Sequence, residues 1–292
     1  MKLDVLAAGE IYVDLIMSGS GPLPRPGEEW IAQEFTREPG GGAVITALAL
    51  ARLGERVGIA GAVGADDSDW LRTQLARAGI DVSGVLSLDG ARTGTTVAIS
   101  NGSDRSFFTH VGANREAKAA IAASTAASRH LHWAAPADVA LLEIFRAQGM
   151  SISLDVGYPH ADARCLAALP LVDIFLPNEL EASRLTGESE PEGMLAALHR
   201  AGAREVALKL GARGAAMIIN GRFVHTEPPS VQTIDTTGAG DCFNAGFLHA
   251  WLRGDPPELC LRMGNVCGAF STRALGGIAG FPTPEEIACL MK

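Results

Sequence analysis

One stretch of the chain, TIDTTGAGDCFNAGF at residues 233–247, combines small residues with a carboxylate in a way that could do chemistry. Gly238-Ala239-Gly240 leads into Asp241 and then into an apolar segment with helical spacing. A glycine loop that enters a helix directs free backbone N–H groups and the positive end of the helix dipole at one point, which favours a bound phosphate. Because a carboxylate repels such a phosphate, we interpret Asp241 as a general base that takes a proton from an attacking hydroxyl. The alternative is an ordinary, well-capped surface helix.

Two loops in the first half of the chain could contact a small polar ligand. Asp14 comes shortly after the first predicted strand, which ends at Gly9, and its carboxylate could accept hydrogen bonds from two neighbouring hydroxyls of a polyol. Considered alone, Asp14 is better explained as a solvated turn residue. Pro39-Gly40-Gly41-Gly42 leads into a predicted helix at 43–53, and consecutive glycines cost conformational entropy. We therefore interpret Gly40 and Gly41 as backbone surface for a ligand.

Two loops in the second half carry candidate metal and nucleotide contacts. Asn178 and Glu181 follow a predicted strand, and their oxygens suit Mg²⁺, which keeps most of its waters and uses few carboxylates. Taken alone, the pair is better explained as a capped, acidic helix start. Residues 209–214, KLGARG, also end a predicted strand. They offer a flexible backbone and two cations, Lys209 and Arg213, to a nucleotide.

The elements that must position these loops follow an alternating pattern. From residue 130 onward, predicted strands and helices alternate, which indicates a mostly parallel sheet with helices on both faces, a three-layer α/β/α arrangement. Short β-like runs without helices between them predict a small antiparallel sheet; they lie at 12–17, 30–36, 82–88, 95–100 and 106–111. We expect one α/β domain over residues 1–292, with lid strands from about 12–36 and 82–111.

Composition narrows the classes of function. The 292 residues carry a formal net charge of -9, which argues against nucleic acid or an anionic membrane as the main partner. The first residues, MKLDVLAAGEIYVDL, contain acids and predict neither a signal peptide nor a spanning helix. Scattered cysteines fit a reducing cytoplasm. No Walker A sequence is present, and no G-x-G-x-x-G follows the first predicted strand, which argues against a nicotinamide dehydrogenase.

Taken together and in their order, these loops resemble the ribokinase family of PfkB-type carbohydrate kinases over nearly the whole chain. The most specific part is DTTGAGD at 235–241, which is similar to the C-terminal signature of the family. The resemblance implies a ribokinase-like α/β fold and phosphoryl transfer from ATP with Mg²⁺. By this resemblance Asp241 would be the catalytic base, and the N–H groups of Gly238, Ala239 and Gly240 would stabilise the transferring phosphoryl. Asp235 would line a K⁺-type monovalent-cation site through its carbonyl.

The remaining loops match other motifs of the family. The Pro39-Gly40-Gly41 loop resembles the N-terminal signature, which packs against the sugar, and Asp14 matches the sugar-binding Asp after the first strand. Asn178 and Glu181 match the N-x-x-E motif associated with magnesium. Together with the loops described above, the residues expected to bind the nucleotide are Lys209, Gly211, Gly214, Gly238, Gly240 and Asn265.

Three positions depart from the pattern of the family. Members often carry an Asn in the helix after the glycine loop, where this chain has Ile45, and ribokinase has a Glu after the strand equivalent to 130–134, where this chain reads Trp133-Ala134. Both changes remove polar contacts to a ribose-like substrate. We therefore expect a less polar or differently shaped acceptor, with Trp133 as a packing surface. The glycine loop also lacks the Lys of the sugar-phosphate kinases, which favours an unphosphorylated acceptor.

The hypothesis from the sequence is ATP-dependent phosphorylation of a primary hydroxyl of a small sugar. A nucleoside kinase of the same family is the nearest alternative. A non-catalytic sugar- or nucleotide-sensing protein on the same fold is the alternative from another class, although the intact Asp241 and anion loop argue against it. Exposed lid edges and the family resemblance predict a homodimer through the lid.

Overall fold

The computed structural model of the protein describes residues 2–100, 105–157 and 160–291. Apolar runs form the strands of its centre, and amphipathic runs form its helices. The strands are β1 (Leu3–Gly9), β2 (Tyr12–Ser18), β3 (Glu34–Gly40), β4 (Val57–Gly64), β5 (Asp81–Leu88), β6 (Gly94–Ser100), β7 (Arg105–His110), β8 (Ser128–Ala134), β9 (Ser151–Leu154), β10 (Ile174–Phe175), β11 (Glu205–Val206), β12 (Leu208–Lys209), β13 (Ala215–Ile219) and β14 (Arg222–Thr226). The helices are α1 (Gly42–Arg52), α2 (Ser68–Arg77), α3 (Ala117–Ala123), α4 (Val139–Ala147), α5 (Ala163–Ala168), α6 (Glu179–Thr186), α7 (Pro191–Arg200), α8 (Ala239–Leu252), α9 (Pro257–Ser271) and α10 (Pro284–Leu290). Within the described ranges, no helix combines the length and apolar character needed to cross a bilayer.

A seven-stranded parallel sheet with the order β11-β10-β9-β8-β1-β4-β5 forms the centre of the protein. Strand β1 is buried along its whole length, because its two faces lie against different core clusters. Val5 and Ala7 pack into one cluster with α1 and α8, whereas Leu6 and Ala8 pack into the other with α4 and α5. Helices therefore cover both faces of the sheet, as expected for parallel strands. The prediction of a three-layer α/β/α fold is confirmed.

A separate four-stranded sheet, which we call the lid, has the order β3-β2-β6-β7. Strands β2 and β3 pair antiparallel, as do β6 and β7, but β2 and β6 are parallel. The predicted all-antiparallel lid is therefore wrong in this respect. The assignment of 82–88 to the lid is also wrong, because β5 pairs in parallel with β4 at the edge of the central sheet. Since α2 connects β4 to β5, these elements form a βαβ unit, which places β5 in the main sheet.

A third sheet, made of the antiparallel strands β12, β13 and β14, was absent from the sequence prediction. The β13–β14 hairpin turns at Asn220 and Gly221, which have φ values of 52° and 75°. An Asn-Gly pair between two apolar runs is a strong hairpin signal, because both turn positions require positive φ. This signal was available in the sequence. The hairpin brings β14 next to α9 and thereby shapes one wall of the cleft described below.

Candidate active site

Gly238 begins the helix that carries the predicted chemistry. It is the N-cap of α8 with φ 70°, and a Cβ there would lie 2.7 Å from the carbonyl oxygen of Gly277, so a side chain would be both strained and obstructed. The backbone N–H groups of Gly238, Gly240 and Asp241 have no hydrogen-bond partner within the described part of the chain. Ala239 departs from the prediction, because its N–H donates to the carbonyl of Thr236 over 3.3 Å. Free donors at a helix start of this kind can receive an anion, and we call this group of N–H donors the anion site.

Asp241 lies in the first turn of α8, close to the glycine turn that precedes α1. A Cβ at Gly42 would lie 3.0 Å from Oδ1 of Asp241, so the absence of a side chain there leaves room beside the carboxylate. Burial, and then the negative charge of Asp155, raise the pKa of Asp241 to about 7, whereas Lys209 acts in the opposite direction. A carboxyl group with a pKa near neutrality is well matched to general-base work at neutral pH.

Three buried side chains form a closed triangle beneath Asp241. Nζ of Lys209 donates to Oδ2 of Asp155 over 2.7 Å and to Oδ1 of Asn244 over 3.2 Å, and Nδ2 of Asn244 donates to the same Asp155 oxygen over 2.5 Å. The triangle joins the first turns of α8 to the ends of β9 and β12. Lys209 was predicted as a nucleotide contact, but its ammonium group is already engaged from inside the protein. Lys209 and Arg213 both line the cleft described below, and Arg213 pairs with Glu179.

Asp14 borders the other end of the same glycine turn. Its Oδ2 lies 2.0 Å from where a Cβ at Gly40 would be, so only glycine fits there. A Cβ at Gly41, which has φ 96°, would lie 2.5 Å from the carbonyl oxygen of Glu10. Burial, and then the charge of Glu38, raise the pKa of Asp14 to about 7. The predicted residues Asp14, Gly40 and Gly41 therefore lie together, with Asp241 at the far end of the turn.

Glu38 is a neighbour of this site that the sequence reasoning missed. It lies directly opposite Asp14 in the β2–β3 pairing. Its carboxylate reaches the loop after α9, where a Cβ at Gly276 would lie 2.6 Å from Oε2. Burial raises the pKa of Glu38, whereas the backbone of Gly277 acts to lower it. Glu38 could have been found as the residue opposite Asp14 in the neighbouring strand. That inference requires the pairing and register of β2 and β3 to be known in advance.

Ile45 and Trp133 are both buried, so neither offers an open surface to the acceptor. Ile45 packs with its Cδ1 against the positions where Gly238 and Gly277 would carry a Cβ, at 3.1 and 2.7 Å, and it is 5% exposed. It therefore supports the anion loop from below. Trp133 is 1% exposed, and its indole N–H donates to the carbonyls of Ala135 and Pro136. The expectation that Trp133 offers a packing surface to the acceptor is wrong, because the ring lies in the core.

Asn178 and Glu181 form a capping box at the start of α6. Oδ1 of Asn178 accepts from the N–H of Glu181, while the two Glu181 oxygens accept from the backbone N–H and Nδ2 of Asn178 over 2.9 and 2.8 Å. Burial, and then Asp155, raise the pKa of Glu181 to about 7. Each carboxylate oxygen keeps one lone pair, which suits a contact to Mg²⁺ through water. Among the described residues, no group of three or more His, Cys, Asp or Glu side chains could hold a metal directly.

Asp235 and Asn265 are both tied to neighbouring backbone. The Asp235 carboxylate accepts from the N–H and hydroxyl of Thr237 and from the N–H of Gly276. Its side chain therefore fixes the loop before α8, and the predicted cation contact is the one assigned to its carbonyl. The Asn265 amide donates to the carbonyl and hydroxyl of Thr226 over 2.8 and 2.9 Å, so only its Oδ1 can serve a nucleotide base.

A large cleft of about 1430 Å³ lies beside the anion site. Its lining includes five of the residues predicted to bind the nucleotide, namely Lys209, Gly211, Gly214, Gly240 and Asn265. Phe223 and His225 of β14, which the sequence reasoning missed, also line it. The cleft opens on the first turn of α8, so a ligand with an apolar ring and a phosphate tail can place the tail at the anion site.

The arrangement of these residues has a counterpart in known proteins. The family model described as pfkB family carbohydrate kinase matches residues 2–284. The chain belongs to the pfkB carbohydrate kinase family. It is 29% identical over 303 residues to a ribokinase of Haemophilus influenzae, with 98% of this chain and 97% of that protein covered. Family membership assigns the chain to the ATP-dependent sugar kinases.

Two further pfkB-type relatives differ in their acceptors. The chain is 30% identical to an ATP-dependent ribose-1-phosphate kinase of Halopiger xanaduensis (98% and 97% covered) and 26% identical to a nucleoside kinase of Methanothermobacter thermautotrophicus (97% and 94% covered). Among solved structures, a putative ribokinase II from E. coli in complex with ATP and Mg²⁺ superposes with a TM-score of 0.82, 26% identity and 99% of each chain covered. Relatedness therefore establishes the reaction class and leaves the acceptor open.

Proposed function

We propose that the protein transfers the γ-phosphoryl group of ATP to a primary hydroxyl of a small sugar. The observation that carries this proposal is the placement of two carboxylates, Asp14 and Asp241, at the two ends of the Gly40–Gly42 turn. Asp241 also lies beside the free N–H groups that open α8. An acceptor over the glycine turn therefore meets a hydroxyl-binding group at one end and a base with an anion site at the other.

The geometry divides the reaction among these groups. Asp14 accepts hydrogen bonds from acceptor hydroxyls and orients the sugar, which brings the reacting hydroxyl to Asp241. Asp241 takes the proton of that hydroxyl. At the same time the hydroxyl oxygen of the acceptor forms a bond to the γ-phosphorus, and the bond between the γ-phosphorus and the β–γ bridging oxygen breaks. The free N–H groups of Gly238, Gly240 and Asp241 stabilise the charge on the transferring group. Mg²⁺, held through water by Glu181 and Asn178, would neutralise the phosphate oxygens.

Replacement of the base tests the proposal directly. Asp241→Asn keeps the size of the side chain and removes its basicity, so kcat should fall by about 10²–10⁴ with ATP and the best sugar of a screened panel. Asp89→Asn is the matched control, because Asp89 is exposed. Activity of the Asp241 variant within about tenfold of wild type would contradict its role as the base.

A nucleoside is the second candidate acceptor. It is favoured by the similarity to a nucleoside kinase, whereas the absence of the polar residues that ribokinases place near ribose does not discriminate. Comparison of kcat/KM for free sugars and nucleosides decides between the two. Binding of ligands from either class without any turnover of ATP would instead support a sensing protein.

The remaining features of the proposal concern assembly and environment. Three phenylalanines on the lid, Phe35, Phe107 and Phe108, are half or more exposed, which favours a homodimer through the lid. The carbonyl of Asp235 would contribute to a K⁺ site next to the anion loop, and dependence of kcat on K⁺ tests this. All five cysteines are free thiols, which agrees with a reducing cytoplasm.

A further inference from the structure

One face of the lid sheet is turned towards the acceptor space, and its members follow from the strand register. Side chains alternate between the two faces of a strand, and directly opposed residues share a face. Asp14 is opposed by Glu38 on β3 and by Thr96 on β6, and Thr96 is opposed by Thr109 on β7. The hydroxyls of Thr96 and Thr109 lie 3.3 Å apart, in agreement with this register. We call this surface the cleft face of the lid.

The cleft face lies against the catalytic loops. The Asp14 carboxylate covers Gly40, and the Glu38 carboxylate covers Gly276, with 2.0 and 2.6 Å to the Cβ positions of these glycines. Both carboxylates therefore lie against the glycine loops that border Asp241 and the anion loop.

The charges around the Asp14–Glu38 pair are of one sign. Burial raises the pKa values of both carboxyls, the charge of Glu38 raises that of Asp14 further, and within the described residues neither carboxylate forms an ion pair. The cleft-face positions that flank the pair on β2, β3 and β6 carry no Lys or Arg, whereas Arg105 of β7 has a cleft-face position by register but opposes Ser100, four residues along β6 from Thr96. Arg37 of β3 projects from the opposite face, where it pairs with Asp67. Arg52 is the cation whose charge lowers the pKa of Glu38, but its guanidinium group donates a hydrogen bond to the carbonyl of Ile278.

Hydroxyl groups are the ligands that this face can satisfy. Carboxylates accept hydrogen bonds, and threonine hydroxyls both donate and accept. A phosphate or carboxylate on the acceptor would bring a further negative charge next to two acids that have no ion-pair partner among the described residues, and like charges at an interface are strongly unfavourable.

We propose that the Asp14–Glu38 pair makes this kinase selective for uncharged, hydroxyl-rich acceptors and against acceptors that carry a phosphate or a carboxylate, with Glu38 as the specificity-determining residue. The inference rests on the proposed function and names the substrate class of the same site. The proposed selectivity also distinguishes this chain from its relative named a ribose-1-phosphate kinase, a distinction that overall sequence identity does not make.

The test compares two matched ligand pairs by equilibrium binding, in the presence of Mg²⁺ and a non-hydrolysable ATP analogue. D-Ribose is compared with D-ribose 1-phosphate, and D-glucitol with D-gluconate, by isothermal titration calorimetry. The wild-type protein should bind the uncharged member of each pair at least about tenfold more tightly, as like-charge repulsion predicts. Tighter binding of the anionic member in either pair overturns the proposal, and this arm requires no variant.

Glu38→Gln then isolates the residue. The variant should bind the anionic members more tightly and reduce the preference for the uncharged member by about tenfold, because one of the two repelling charges is removed. Glu34→Gln is the matched control, since Glu34 lies on the same strand and face but is exposed and about 13 Å further along. An unchanged preference in Glu38→Gln, or an equal change in Glu34→Gln, contradicts the assignment. Absence of ATP turnover with any carbohydrate would instead refute the proposed function, because binding preference is measured without turnover.

Discussion

The buried triangle of Lys209, Asp155 and Asn244 allows an opposed pair of perturbations. Lys209 lowers the pKa of Asp241, and Asp155 raises it. Replacement of Lys209 with Met should therefore move the acid limb of the pH profile of kcat/KM to higher pH. Replacement of Asp155 with Asn should move the same limb to lower pH. In the wild-type protein the limb should have its midpoint near pH 7, since Asp241 must lose its proton to act as a base.

The magnitude follows from the contacts of Lys209. Its Nζ lies 3.5 Å from the Cβ position of Gly240, the residue before Asp241. At a separation of roughly 6–8 Å and an effective dielectric constant of about 20, one unit charge changes the ionisation free energy by about 2–3 kcal/mol. Since about 1.4 kcal/mol corresponds to one pKa unit, each substitution should move the midpoint by about one to two pH units.

The assay is the pH dependence of kcat/KM between about pH 5 and 9, with melting temperatures measured in parallel because removal of one partner of a buried ion pair costs about 3–5 kcal/mol. Lys118→Met is the matched control, because Lys118 forms an exposed ion pair with Asp138. It should leave the midpoint in place. If the midpoints move in the same direction in the Lys209 and Asp155 variants, the electrostatic account is refuted. Loss of opposite charges must shift the pKa of Asp241 in opposite directions, whereas general destabilisation would affect both variants alike.

Three further predictions concern the cradle, the metal and the lid. Gly238→Ala should lower kcat by about tenfold or more, because it combines left-handed strain of about 1–2 kcal/mol with a clash against Gly277, whereas Gly254→Ala, with similar φ and open space, should change only stability. Glu181→Gln preserves the capping acceptor, so the fold should persist while the Mg²⁺ concentration for half-maximal activity rises about 10–100-fold; an unchanged requirement would exclude Glu181 from the metal site. A Phe35→Ser/Phe108→Ser variant should reduce the dimer fraction in light scattering, and a wild-type protein that is already monomeric would end that proposal.

The sequence predicted the parts of the site that depend on local backbone. Gly238, Gly41 and Gly214 have positive φ, and glycine at such positions is visible in the sequence because other residues avoid this conformation. The strand–helix alternation after residue 130 likewise predicted the central sheet, since each βα step is a local pattern.

Contacts between distant segments were beyond this reasoning. Asp155 and Lys209 are 54 residues apart, and Asp155 and Asn244 are 89 apart, so the triangle exists only because β9, β12 and α8 meet at one edge of the fold. Lys209 was therefore read as a free cation. Strand β5 was misplaced for a related reason: its partner is chosen by the crossover helix before it, whereas the prediction relied on the missing helix after it.

The loop at Gly276 and Gly277 lies between the lid and the anion loop. The N–H of Gly276 donates to Asp235, just before the anion loop, the Glu38 carboxylate of the lid lies against Gly276, and the carbonyl of Gly277 accepts from the thiol of Cys242 in α8. One loop therefore contacts both the acceptor side and the phosphate side of the site. A substitution at Glu38 that shifts this loop would also shift the backbone before α8, so a change made for the acceptor would alter the handling of the phosphate as well.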